Sequence, residues 1–156
     1  MRPGVDSAPR LLVGSVYDET APVLSPDGRW LAYVSNESGR GEVYVRPFPE
    51  TGAARWTVSV EGGSEPRWSH SGRELFYRTP RGQLLAVQVA PGATFTVLAT
   101  RPLFDASTYA VEGNHVAYDV SPDDARFIMI RQEAGKSGGV VLVLNWQTEL
   151  RAKLRR

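Results

Sequence analysis

Ser25-Pro26-Asp27-Gly28-Arg29-Trp30-Leu31-Ala32-Tyr33 is the stretch that decides the fold. Its first half is turn chemistry. A proline ring pre-sets φ at about −65°, and a glycine accepts the positive φ that closes a tight hairpin. Its second half is apolar and aromatic on both alternating faces, the composition of a strand covered from two sides. The phrase returns as Ser69-His70-Ser71-Gly72-Arg73, 44 residues on, and as Ser121-Pro122-Asp123-Asp124-Ala125-Arg126, 52 residues further. The second copy keeps Gly72 and loses the proline. In the third, Asp124 stands in the glycine's place, and aspartate tolerates positive φ better than most residues.

Repeats of this period belong either to propeller blades or to helical arrays. Composition separates them. After each turn comes a strand-like run at 30–34, 75–77 and 127–130, then a Gly/Pro-rich loop, then a second run at 43–45, 84–89 and 140–144. Runs this short between breakers are strands. The pattern predicts an all-β fold, a β-propeller of three four-stranded blades, about 17–60, 61–100 and 112–146. The four strands fall at 21–24, 30–34, 42–46 and 55–60 in the first blade, and at 65–68, 75–78, 84–89 and 95–99 in the second. The third blade offers 116–120, 127–130 and 140–144 and lacks a fourth. A surplus strand at 10–16 stands ready to complete a blade, and 147–156 reads as a short helix or tail.

The stretches 24–36, 42–49, 62–77 and 119–130, above all Ser25 to Tyr33, resemble TolB-like, WD-repeat-related propeller repeats. Such repeats also occur in the propeller regions of bacterial serine/threonine kinases and of prolyl oligopeptidase-type enzymes. The resemblance implies a ligand- or protein-binding module. It also implies six blades in a closed ring, of which this chain supplies half.

Composition removes several function classes. Eighteen basic against seventeen acidic residues leave a net charge of +1, which gives no one-signed surface for nucleic acid. With no cysteine and only His70 and His115, neither a thiolate nor a histidine-rich metal site is expected, and no cofactor is implied. The first ten residues contain no apolar core of a signal peptide, and the longest aliphatic run, Val140 to Leu144, is too short to span a bilayer. The compartment stays open: cytoplasmic by default, extracytoplasmic if the chain belongs to a longer protein.

Catalytic signatures are missing. Gly135-Lys136-Ser137 lacks the upstream glycine of a phosphate loop, since Ile130 stands there, and no serine sits in a Gly-x-Ser-x-Gly elbow. His70 beside Ser71 reads as a turn pair. Asp119, Asp123 and Asp124 read as turn stabilisers rather than a calcium loop. The expectation is a non-enzymatic binding or scaffolding module. The candidate contacts are polar residues in the connections between blades and at the first strands: Glu19, Thr20, Glu65, Arg67, Asn114 and His115. They would hold a protein partner or a small ligand at the channel mouth. The alternative is the detached propeller portion of a larger receptor-like kinase or peptidase. Three blades leave two apolar faces open. The expected assembly is therefore a homodimer that completes six blades, each 10–16 strand filling the partner's third blade. Its rival is closure by missing blades of a longer chain.

Overall fold

The computed structural model describes residues 11–111, 115–131 and 139–143. Every regular element among them is a strand. The order is β1 (Glu19–Leu24), β2 (Trp30–Ser35), β3 (Glu42–Pro47), β4 (Trp56–Thr57), β5 (Ser64–Trp68), β6 (Glu74–Arg78), β7 (Gln83–Val89), β8 (Val97–Asp105), β9 (Tyr118–Val120), β10 (Phe127–Arg131) and β11 (Gly139–Val143). They form three antiparallel sheets, β1-β2-β3-β4, β5-β6-β7-β8 and β9-β10-β11, each strand pairing with its neighbour in sequence.

The repeated phrase makes the β1–β2, β5–β6 and β9–β10 hairpins, as its turn chemistry requires. In each, the glycine-position N–H bonds back to the phrase's serine carbonyl: Gly28 to Ser25, Gly72 to Ser69 and Asp124 to Ser121, at 2.8–3.0 Å. The φ values of Gly28, Gly72 and Asp124 are 69°, 68° and 56°, so the aspartate does adopt the glycine's conformation.

Alternation along the strands sorts each sheet into a front and a back. The front of the first sheet (Ala32, Val43, Val45) packs with Val58 against the back of the second (Trp68, Leu75, Tyr77, Val87). Trp30, Trp56 and Phe95 meet there with ring centroids 5.5–5.7 Å apart. The front of the second sheet (Phe76, Leu84, Ala86) packs against the back of the third (Tyr118, Val120, Phe127, Met129). Phe76 and Phe127 are edge to face at 5.1 Å. The sheets thus stack face to face in chain order, and the core is the two layers between them.

Two expectations need correction. The last strand of the second sheet is not 95–99 but β8, which runs on to Asp105. It lies at the sheet's edge, and the irregularity between Leu84 and Leu85 places Pro102 at a bulge, where a missing N–H is harmless. The last strand of the first sheet shrinks from 55–60 to two residues. Val58 and Ser59 are buried and stay bonded to Val43 of β3, through the Val58 N–H and the Ser59 hydroxyl oxygen, without continuing the strand. Residues 11–16 form no strand within this chain. Val13 instead packs on Leu31, Tyr33 and Tyr44 at the back of the first sheet, and the Thr51 hydroxyl donates to the Leu12 carbonyl. Residue 10, residues 112–114, 132–138 and 144–146 of the third blade, and the 147–156 helix or tail lie outside the described residues.

Candidate functional site

β1 and β5 share a departure from regular strand. Ala21 and Glu65 occupy the same repeat position, each before a proline, with φ of 49° and 54°. Both sit where the register with the next strand slips, between Thr20 and Val23 and between Ser64 and Arg67. A non-glycine residue in the left-handed region is costly, so neighbouring bonds must hold it.

At Glu65 those bonds reach the next sheet. Its Oε1 accepts from the Ala117 N–H at 2.8 Å, its carbonyl accepts from the Tyr118 hydroxyl at 2.8 Å, and Arg78 Nη1 lies 3.4 Å from Oε2. Arg78 has closer partners. It donates to the carbonyls of Ala110 at 2.5 Å, Ala106 at 2.6 Å and Tyr109 at 3.1 Å. The guanidinium therefore closes the connection from β8 to β9 first, and pairs with Glu65 second. Burial pushes the Tyr118 hydroxyl well up, helped by the Glu65 carboxylate, which keeps it a proton donor.

Glu42 serves the connection between the first two sheets. Its carboxylate accepts from the Ser59 hydroxyl, from the Gly62 N–H at 2.9 Å and from Arg40 Nε at 2.7 Å. Burial raises the Glu42 carboxyl, but these donors outweigh it and hold it below the usual carboxylate range.

The sequence candidates do not form one site. Glu65, expected to face a ligand, is 2% exposed and committed to the bonds just described. Arg67 spans to Asp119 of the third sheet at 2.8 Å on the surface. His115 is exposed, and Asn114 lies outside the described residues. Glu19 and Thr20 stand apart at the back of the first sheet. They border a groove of about 330 Å³ floored by Leu31 and Tyr33 and walled by Leu11 and Leu12, and Glu19 Oε1 accepts from the Ser15 hydroxyl at 2.5 Å.

His70, Ser71 and Asp124 do come together, with His70 Nδ1 3.4 Å from Asp124 Oδ1. Asp124 accepts the backbone N–H groups of His70 at 2.6 Å and Ser71 at 2.9 Å, and the Ser71 hydroxyl lies 3.1 Å from that of Ser69. Among the described residues, no three His, Asp or Glu side chains are grouped to hold a metal.

An apolar surface lies at one end of the sheet stack. The front of the third sheet exposes Ile128 (42%), Ile130 (42%), Val140 (76%) and Leu142 (47%). The register pairs Ile128 with Leu142 and Ile130 with Val140, so the four form one contiguous patch. At the opposite end, Leu24 and Leu11 are exposed around the Glu19–Thr20 groove.

No protein-family model matches the chain, and no curated protein matches it. Solved structures do. An acylaminoacyl peptidase from Pyrococcus horikoshii superposes on 78% of this chain, with a TM-score of 0.53 and 14% identity. An oligogalacturonate lyase solved in complex with manganese covers 85%, with a TM-score of 0.50 and 20% identity. The chain has a β-propeller fold, in part. TolB from Acinetobacter baumannii is similar over 87% of the chain at 13% identity, with a TM-score of 0.43. The chain spans 18% of the peptidase, 36% of the lyase and 43% of TolB. At these identities the likeness is one of propeller fold.

Proposed function

We propose that this propeller segment is a non-enzymatic protein-binding or scaffolding module, three blades in an open arc, working through its end faces. The observation that carries the reading is the Ile128–Ile130–Val140–Leu142 patch. Contiguous exposed aliphatic side chains on a regular sheet mark association surfaces on folded proteins. Glu19 and Thr20 belong to the opposite end face, where they border its groove. Arg67 and His115 stay at the surface, and the buried bonds of Glu65 make it a support for the blade connection rather than a contact. The partial span of the matched peptidase and lyase favours a second reading, the propeller portion of a larger receptor-like kinase or peptidase. Both readings put the same faces to work.

The test compares the full chain with Ile128→Glu/Leu142→Glu, two exposed positions whose substitution leaves the core intact. Immobilised chains are incubated with source-cell extract and the retained proteins identified by mass spectrometry. A partner, including the chain itself, held by the wild type and lost by the variant is expected. Identical retained sets would sink the reading.

A further inference from the structure

We propose that the exposed front of the third sheet docks on the back of the first sheet in a second copy, closing two arcs head to tail into one ring. This rests on the protein-binding reading above and names the occupant.

The front of the third sheet and the back of the first are the two halves of an interface already built inside the chain. Ile128 and Ile130 lie seven and nine residues after Ser121, as Ala32 and Val34 lie seven and nine after Ser25. Ala32 pairs with Val45 and Val34 with Val43, while Ile128 pairs with Leu142 and Ile130 with Val140. The third sheet's front is therefore the first sheet's front position by position, with β-branched and aliphatic residues in both. In the first sheet that surface is covered by Leu75 and Tyr77 of the next sheet.

The complementary half repeats as well. Leu31 and Tyr33 lie six and eight residues after Ser25, as Leu75 and Tyr77 lie six and eight after Ser69. Residue type and position are the same. Leu24 stands where Trp68 and Val120 stand in the other sheets; those two are 5% and 4% exposed beneath a preceding sheet, whereas Leu24 is 43% exposed. Leu24 thus lacks the cover of its counterparts, while Leu31 and Tyr33 beside it are already buried, with Val13 packed on them. The chain cannot join its own two faces, because the second sheet is packed between them.

The segment lying on that back fits the same scheme. Leu12 and Val13 precede Trp56 and Thr57 by the repeat interval of 44 residues, and Trp56–Thr57 is β4, the outermost strand of the sheet that precedes the second. Trp56 packs into the interface with the second sheet, and its counterpart Leu12 lines the groove floored by Leu31 and Tyr33. Leu12 and Val13 hold the place of the outermost strand of an incoming sheet. The described third sheet has β9, β10 and β11 and no fourth strand. Two copies would bring six blades, within the usual range for closed rings, through two like contacts related by a two-fold axis.

The experiment measures mass by size-exclusion chromatography with light scattering. The full chain is expected at twice its monomer mass. A front variant, Ile128→Glu/Leu142→Glu, and a back variant, Leu11→Lys/Leu24→Lys, change only exposed side chains. Each alone is expected to fall to monomer with an unchanged far-ultraviolet circular dichroism spectrum. Mixed in equal amounts, they are expected to regain the two-chain mass, since Glu fronts then face Lys backs and the second contact is wild type on both sides. A front variant that stays dimeric, or a mixture that stays monomeric, would overturn the head-to-tail pairing. A monomeric wild type overturns the second copy as occupant. In that case a partner captured in the extract experiment leaves the protein-binding reading standing, and no partner removes both.

Discussion

Asp124 shows how one side chain turns a degraded repeat into a link between sheets. Its left-handed backbone follows from the turn, but its carboxylate caps the His70 and Ser71 N–H groups of the neighbouring turn. Burial pushes the carboxyl up, and the donated hydrogen bonds of Ser71 and His70 outweigh it, so it lies below the ordinary value of 3.8. A carboxyl lowered in the folded state stabilises fully above its unfolded value, about pH 4, and loses that contribution as pH falls through the folded value. Glu42 and Asp27 are lowered too, so stability is expected to fall on acidification below about pH 4. Asp124→Asn keeps the turn, since asparagine also accepts positive φ. It is expected to lower stability by about 1–2 kcal/mol at neutral pH, as loss of charge-assisted hydrogen bonds does. It should also flatten the acid limb. Urea midpoints at neutral and acidic pH check both, and an acid limb as steep as the wild type's would refute the assignment.

At the scale of elements, the hairpins and the faces they present were legible because turn chemistry and strand alternation are local. Ser-Pro-Asp-Gly specifies its own turn, and the Leu-Ala-Tyr run specifies which side chains share a face. What lay beyond reach depends on contacts between sheets. Pro102 argues against a strand when read along the chain, yet β8 accommodates it at an edge bulge. Glu65 reads as a loop polar group until Arg78 of the adjacent strand and Ala117, far along the sequence, enclose it. The difference can be measured with two arginines. Arg78→Ala removes the cation beside a buried carboxylate and a donor from three carbonyls, and is expected to cost about 3–5 kcal/mol. Arg67→Ala opens only the surface pair with Asp119 and is expected to cost less than about 1 kcal/mol. Denaturant unfolding of the two variants gives the order directly. Equal losses would mean that the β8-to-β9 connection does not depend on Arg78.

For the whole molecule, the decisive quantity is how stability responds to concentration. Two sheet-to-sheet interfaces are closed within the chain, while Ile128, Ile130, Val140 and Leu142 at one end and Leu24 at the other stay exposed. A sheet stack with free ends behaves as a row of neighbour contacts, so filling the ends adds contacts without altering those inside. If the occupant is a second copy, unfolding separates two chains, and mass action ties the melting temperature to total protein. A hundredfold rise in concentration then stabilises the dimer by about 2.7 kcal/mol, roughly half of that per chain. At about 2–4 °C per kcal/mol for a chain of this size, the melting temperature is expected to rise by about 3–5 °C. Ile128→Glu/Leu142→Glu leaves the two inner layers untouched and should melt at one temperature across the same range. Differential scanning calorimetry over a dilution series separates the cases. A wild-type melting temperature independent of concentration would show that nothing in the folded state is held by a second copy.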